Sequence, residues 1–148
     1  MIITFLGHRF LKNHEAIFEK IKKSIIEHLK YEEKMVFYCG GYGDFDNLSA
    51  HACHQVKKIH PNSEVIYVTP YIIESGQEGA MLLKEYDSIS YPPLENVPPK
   101  FAICKRNEWM IEKSDLIIAY VNATYGGAYK SLQYAKRKGK QIINLAEL

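Results

Sequence analysis

Short apolar runs alternate with helix-like segments along most of this chain, and that alternation constrains the fold more than any other feature. Five runs rich in β-branched and aromatic residues read as buried strands: residues 2–6, 35–39, 65–69, 115–121 and 141–145. Most of the segments between them repeat apolar residues at helical spacing, which is typical of a helix with one buried face. Strands that alternate with helices form a parallel sheet covered on both faces. The sequence therefore predicts one Rossmann-like α/β domain of three layers, with a mostly parallel five-stranded sheet and helices on both faces.

Length and charge narrow the class of protein further. The chain has 148 residues, of which 47% are hydrophobic, and this suffices for a single domain over residues 1–148. A net charge of +2 is too small to indicate a nucleic-acid surface, so we expect a small-molecule ligand and no nucleic-acid partner. No apolar run approaches the roughly 20 residues that a membrane span needs, so we expect no membrane partner.

Cysteine usage favours the cytoplasm. Cys39, Cys53 and Cys104 lack paired spacing, which argues against a disulfide framework and for a reducing compartment. The first residues lack the basic leader and cleavage site of a signal peptide. His51 and His54 lie three apart on a predicted helix, but no further ligand with suitable spacing accompanies them. We therefore expect neither a metal nor a cofactor.

Residues 71–100 interrupt the alternation. They contain Pro92, Pro93, Pro98 and Pro99 and at best one short helix. A connection of this length in a small domain is usually a lid, a binding loop or a disordered segment. The sequence predicts a long insertion that closes over the ligand as a lid.

Three of the five predicted strands run into glycine at their carboxyl ends. The glycines are Gly7 after the first strand, Gly40, Gly41 and Gly43 after the second, and Gly126 and Gly127 after the fourth. Carboxyl ends of parallel strands share one edge of the sheet, where ligands bind. Glycine lets the backbone approach an anion closely, and the N–H groups at a helix start bind phosphate. Each cluster alone could be a plain turn, but together they predict a phosphate site.

Polar residues beside the glycines extend the predicted site. Arg9 suits either a bidentate phosphate contact or a surface ion pair, and His8 either binds a ligand or caps the next loop. Asp46 either caps a helix or holds a ribose. Lys130, in the first turn of a helix, opposes the helix dipole unless an anion binds there, although a solvated lysine fits equally well. Asn122 follows the fourth strand and joins the predicted set.

Tyrosine is frequent in the chain, and two tyrosines fall inside the glycine loops. Tyr42 and Tyr125 could each offer a ring face to a nucleotide base, and Tyr71 and Tyr91 could close over a ligand from the insertion. Packing in the core or at an interface is the commoner role of tyrosine.

Three blocks of the sequence resemble the SLOG superfamily, which contains the bacterial DNA-processing proteins and the Lonely Guy phosphoribohydrolases. The blocks are GHR after the first strand, CGGYGDFD after the second, and RNEWMIEKSDLIIAYVNATYGGAYKSLQYAKRKGKQIINL. The likeness is greatest to a small bacterial and phage branch that begins with GHR, and it runs over residues 3–145 without 71–100. The resemblance implies a Rossmann-like sheet, a nucleotide or nucleotide-derived ligand such as ADP-ribose at the glycine loops, and a homodimer.

The resemblance also assigns residues. Gly40, Gly41 and Gly43 match the first glycine loop, Gly126 and Gly127 match the second, and Asp46 matches the acid of the DNA-processing branch. Arg106, in an Arg-Asn pair with Asn107, lies four residues before Met110, as does the substrate arginine of the Lonely Guy enzymes. Their catalytic glutamate is replaced by Gln133.

That replacement favours binding over catalysis. Cleavage of an N-glycosidic bond needs a carboxylate to stabilise positive charge or to activate water, and an amide has neither charge nor basicity. The sequence therefore predicts a nucleotide-binding protein, and the resemblance implies a sensing or regulatory role. The first alternative is a hydrolase of nucleoside monophosphates in which Asp44, Asp46 or Glu108 acts with Arg106. The second alternative is a module that binds single-stranded DNA.

Overall fold

The elements of the domain follow the predicted alternation closely. A computed structural model describes residues 1–30, 33–73 and 76–147. In chain order its elements are β1 (Ile2–Gly7), α1 (His14–Leu29), β2 (Met35–Cys39), α2 (Asp44–Ile59), β3 (Ser63–Val68), α3 (Gly76–Glu85), β4 (Ser88–Ser90), α4 (Ala102–Lys113), β5 (Leu116–Tyr120), α5 (Gly126–Arg137) and β6 (Gln141–Asn144). Two short 3₁₀ turns, Pro99–Phe101 and Leu145–Glu147, precede α4 and follow β6.

The strands form one parallel sheet in the order β4-β3-β2-β1-β5-β6. The chain builds outward from β1 to β4 in one direction and then returns to add β5 and β6 on the other side of β1. Strand order therefore reverses between β1 and β5, which pair from Ile3 and Leu116 to Gly7 and Tyr120. In open α/β sheets this reversal opens a crevice at the carboxyl ends of the strands.

The predicted count of five strands is wrong by one, because β4 lies inside the segment that was expected to be a lid. It pairs with β3 from Ser88 opposite Ile66 to Ser90 opposite Val68. The strand has three residues and two of them are serines, so it lacks the apolar run by which the other strands are recognised. Residues 74 and 75 of the same segment lie outside the described residues.

Two apolar layers cover the faces of the sheet. On one face Phe5 and Phe37 pack with Ile21 of α1 and Val56 of α2. On the other face Leu6 and Ile117 pack with Leu132 of α5 and with further residues of α4 and α5. Successive residues of a strand point to opposite faces, so the neighbours Phe5 and Leu6 serve different layers. The result is the predicted three-layer arrangement.

None of the described helices is both long enough and apolar enough to cross a lipid bilayer.

Candidate functional site

A cavity of about 200 Å³ opens where the strand order reverses. Its walls come from the carboxyl end of β1, the loops after β1 and β2, the first turn of α2, the start of α5 and one face of α4. The crevice at the switch point is thus present as a concave site.

Seven residues of the predicted binding set line this cavity: Gly7, His8, Arg9, Asp46, Arg106, Asn107 and Gly127. Tyr42, which was expected to face a base, lines it as well. The others do not: Gly40, Gly41, Gly43, Asn122, Gly126 and Lys130 of the binding set, and Asp44 and Glu108 of the catalytic candidates. The first group brings together cations, a carboxylate and a helix start.

Arg106 is the most enclosed charged group at the cavity. Its side chain comes from α4 and is 1% exposed. One terminal nitrogen, Nη1, donates to the carbonyl oxygens of Gly40 (2.8 Å) and Val68 (2.7 Å), so it ties together the ends of β2 and β3. Burial lowers the pKa of Arg106 and the nearby Asp46 raises it, but a guanidinium stays protonated in a protein.

The rest of the Arg106 guanidinium faces the site. Nε donates to Oδ1 of Asn107 at 2.9 Å, and the guanidinium carbon lies 5.4 Å from the centre of the Tyr42 ring. Within the described part of the chain, Nη2 makes no hydrogen bond. A buried cation with two unused N–H donors at a cavity wall is suited to an anion.

Asp46 lies in the first turn of α2 and is not its N-terminal cap, because the helix begins at Asp44 after Gly43. Its Oδ2 accepts the backbone N–H of Tyr42 at 2.9 Å. Burial raises the pKa of Asp46 to about 6, against the Tyr42 N–H and the positive charges of Arg106 and Arg9, which lower it. The cavity therefore contains a carboxyl group that can change its charge near neutral pH.

The glycines after β2 do not line the cavity, and they act instead through their backbone. Gly43 has a φ of +97°, and a Cβ there would lie 2.6 Å from Cα of Arg9. The glycine thus lets the loop after β2 touch the loop after β1. Gly40 contributes its carbonyl oxygen, which accepts a hydrogen bond from Nη1 of Arg106.

His8 joins the loops after β1 and β5. Its Nε2 accepts the backbone N–H of Asn122 at 3.0 Å, so a neutral ring carries its proton on Nδ1. Asn122 thus contacts the site residue His8 through its backbone. Two roles were predicted for His8, a contact with a neighbouring loop and a contact with a ligand. The loop contact is present, and His8 also lines the cavity.

The start of α5 supplies Gly127 and Ala128 to the cavity, and Ser131 follows one turn later on the same face. The first N–H groups of a helix lack partners within the helix and carry a partial positive charge. The first turn of α5 contains no acidic side chain. Ala128, Ser131 and Ile103 were not named from the sequence. For Ser131 the signal was its spacing of four residues from Gly127.

Other predicted residues face elsewhere. Lys130, Gln133 and Glu108 line a separate surface depression between α4 and α5, where Glu108 pairs with Lys105 at 3.1 Å. Asp44 accepts the N–H of Leu11 at 2.8 Å. The position expected to hold the Lonely Guy glutamate therefore does not line this cavity.

Two further predictions concern a lid over the cavity and the absence of a metal site. None of the described residues of 71–100 lines the cavity, so closure by that segment stays a prediction. Among the described residues, no group of three or more His, Cys, Asp or Glu side chains could hold a metal ion.

Comparison with known proteins gives one relative in sequence and several in structure. No family model matches the chain. It is 29% identical to the uncharacterized SPbeta prophage-derived protein YoqJ of Bacillus subtilis, over 86% of this chain and 85% of that protein.

Solved structures share the fold at low sequence identity. DNA processing protein A from Helicobacter pylori, described by its single-stranded DNA binding mode, aligns with a TM-score of 0.63 and 15% identity over 96% of this chain and 63% of that one. DNA processing protein A from Streptococcus pneumoniae aligns with a TM-score of 0.66 and 18% identity, over 95% of this chain and 48% of that one. The molybdenum cofactor carrier protein of Chlamydomonas reinhardtii aligns with a TM-score of 0.63 and 15% identity, over 98% of this chain and 76% of that one. The chain thus spans less than two thirds of either DNA-processing protein.

These neighbours correct one prediction. The exclusion of a nucleic-acid partner is wrong, because a protein with this fold binds single-stranded DNA. The exclusion rested on the net charge of +2, which sums over the whole surface, whereas phosphate binding depends on the charges in one groove.

The resemblance predicted from the three sequence blocks is confirmed at the level of the fold: the chain has the Rossmann-like fold of the SLOG superfamily, to which the DNA-processing A proteins belong, and its prophage-derived relative fits the small phage branch.

Proposed function

We propose that the cavity binds the phosphate of a nucleotide or nucleotide-derived ligand, in a sensing or regulatory role and in a homodimer. The observation that carries the proposal is the guanidinium of Arg106, which is 1% exposed and has Nη2 unpaired within the described chain at the cavity wall. Three N–H groups of this guanidinium are already bonded within the protein, but an N–H donor that lies away from water without a partner is costly. A phosphate oxygen is such a partner.

Two more features of the cavity attract the same group. Arg9 stands at the exposed rim, where its planar fork suits a phosphate. The N-terminus of α5 adds backbone donors at Gly127 and Ala128. These cationic and N–H groups come from the loop after β1, from α4 and from α5, so the folded chain, not one local motif, assembles the anion site.

The comparisons support ligand binding in general. Two structural neighbours are described by a single-stranded DNA binding mode and by carriage of a molybdenum cofactor. The same architecture thus holds different ligands in different proteins, and the identity of the ligand here follows from the cavity's own chemistry.

Titration calorimetry with adenosine 5′-monophosphate tests the proposal. Arg9→Ala removes a charge-assisted bidentate contact, so we expect the dissociation constant to rise about 10- to 100-fold. Lys12→Ala is the matched control, because Lys12 is an exposed cation of the same loop that does not line the cavity. Equal losses in both variants, or no binding by the wild-type protein, would contradict the proposal.

A second candidate function is binding of the same phosphate group within single-stranded DNA. The specific observation in its favour is the fold shared with a protein that binds single-stranded DNA. Fluorescence anisotropy with a labelled oligodeoxythymidine tests it. Competition by adenosine 5′-monophosphate, together with loss of binding in Arg9→Ala, would place the strand in this cavity. Binding that persists in Arg9→Ala would place it elsewhere.

The hydrolase alternative has less support from the geometry. Of its candidate carboxylates, Asp46 lines the cavity, and Asp44 and Glu108 do not. Oδ2 of Asp46 is already held by the Tyr42 N–H. We expect no free base when the protein is incubated with nucleoside monophosphates. Release at an enzymatic rate that disappears in Asp46→Asn would establish catalysis.

A further inference from the structure

Two large aromatic side chains are mostly exposed in the loops that follow β1 and β5. Phe10 is 89% exposed and Tyr125 is 79% exposed. Phe10 directly follows the cavity residue Arg9, and Tyr125 lies two residues before the cavity residue Gly127. Since β1 and β5 are neighbours in the sheet, the two rings belong to adjacent loops at the same edge.

The exposure of Phe10 does not come from a loose loop. On one side of it the carbonyl of Arg9 accepts the N–H of Asp44 at 2.8 Å, and on the other side the N–H of Leu11 donates to Oδ2 of Asp44 at 2.8 Å. Asp44 therefore fixes the backbone on both sides of Phe10. Phe10 is therefore exposed on a loop whose backbone is held in place on both sides.

Tyr125 is presented in a similar way from the other loop. It is the last extended residue before α5, and Gly126 after it has a φ of +90°. A Cβ on Gly126 or Gly127 would meet no atom within 4 Å. The approach to the helix start is therefore open beside the Tyr125 ring.

The cavity itself is small for a whole nucleotide. Its volume of about 200 Å³ lies below the range of about 300–1,000 Å³ that is usual for sites of drug-sized ligands. The polar groups inside it suit a phosphate and hydroxyl groups. The Tyr42 ring at the cavity wall already packs against the Arg106 guanidinium. The space and donors thus fit a sugar phosphate, and the base is left at the mouth.

We propose that the base of the bound nucleotide lies outside the cavity and stacks on Phe10 and Tyr125, so that the site selects a sugar phosphate and accepts any base. This inference rests on the proposed phosphate site. It assigns the two rings a ligand of definite chemistry, a flat heteroaromatic ring, because in the sequence they lie one and two positions from Arg9 and Gly127, which line the cavity. Stacking is tolerant of base identity since every base has a π-face.

Calorimetry with three probes tests this: adenosine 5′-monophosphate, cytidine 5′-monophosphate and ribose 5-phosphate. We expect both nucleotides to bind the wild-type protein about 5- to 150-fold more tightly than ribose 5-phosphate, which is the increment expected from stacking one base. In the double variant Phe10→Ala/Tyr125→Ala the increment should disappear while ribose 5-phosphate binds as before. Ile59→Ala is the control, because Ile59 is 63% exposed at the far end of α2 and does not line the cavity.

The outcomes separate the inference from the function on which it rests. If ribose 5-phosphate binds the wild-type protein as tightly as the nucleotides, or if the double variant keeps the increment, stacking is overturned and the phosphate site stands. If no probe binds, both proposals are overturned. If the double variant keeps the increment but converts a dimer into a monomer in sedimentation velocity, the rings instead cover a second copy of the chain.

Discussion

Asp46 shows how a single residue in this site departs from its ordinary chemistry. Its pKa is raised from 3.8 to about 6, mainly by burial. The folded state therefore binds the proton more tightly than the unfolded chain does. It follows that the free energy of unfolding decreases as the pH rises from about 4 to about 6, and stays lower above that range.

Replacing Asp46 by asparagine should therefore stabilise the protein at neutral pH. Asn keeps an acceptor for the Tyr42 N–H and removes the partly buried charge, so we expect a gain of about 1–3 kcal/mol at pH 7. Urea unfolding across pH 4–8 measures it. Near pH 4 the carboxyl is protonated, so the two proteins should be about equally stable there. A variant less stable than wild type at pH 7 would show that Arg9 and Arg106 stabilise the carboxylate more than burial opposes it.

Gly43 and Gly127 form a matched pair for the two roles of glycine in this site. At Gly43 a side chain would need the left-handed φ of +97° and would press on Cα of Arg9 at 2.6 Å. We expect Gly43→Ala to cost about 1–3 kcal/mol. At Gly127 a Cβ meets nothing within 4 Å, so Gly127→Ala should leave stability unchanged or raise it by up to about 1 kcal/mol. Thermal unfolding compares the two, and equal losses would mean that Gly43 is not held by close contact.

At the scale of elements, one carboxylate joins the start of β4 to β3 and α2. Asp87, immediately before β4, accepts the backbone N–H of Val65 in β3 at 2.7 Å and pairs with Lys57 of α2. Burial raises the pKa of Asp87, but the Lys57 ammonium and the Val65 N–H outweigh it and hold the pKa below its usual value. This contribution to stability is present above about pH 4 and is lost as the pH falls further.

Asp87→Ala should loosen this edge of the sheet. The Val65 N–H loses its acceptor, so we expect a loss of about 1–2 kcal/mol and faster hydrogen exchange in β3 and β4 than in β1 and β5. Asp87→Asn is the control, since it keeps an acceptor oxygen and removes only the charge. If both variants behave alike, the ion pair with Lys57 is what stabilises the edge.

At the scale of the whole molecule, ligand binding should increase the stability of the folded protein. A ligand that binds only the folded state raises the free energy of unfolding by about 2.7 kcal/mol when present at about 100 times its dissociation constant. For a domain of this size that is a rise of roughly 5–10 °C in melting temperature. Differential scanning fluorimetry with adenosine 5′-monophosphate measures it, and Arg9→Ala at the same ligand concentration should show a clearly smaller rise. An equal rise in both proteins would place the ligand outside the cavity lined by Arg9.

The fold could be predicted from the sequence because the information is local. Residues 2–6 and 115–121 read as buried strands since their apolar runs are continuous, and α5 could be recognised by the glycine pair at its start. β4 could not be predicted in this way. Its Ser-Ile-Ser stretch has no apolar pattern, and its strand conformation comes from pairing with β3.

What the sequence by itself determined is therefore the α/β class, the parallel sheet, and the edge of that sheet at which the glycines and Arg9 would meet. Only the tertiary structure decided which of those residues share the cavity. Arg106 reaches Gly40 across 66 positions of the chain, and Lys130 faces away although it lies three residues from Gly127. The physical reason is that the periodicity of a strand or helix is set by neighbouring residues, whereas the direction of a side chain at a strand end depends on how distant elements pack against it.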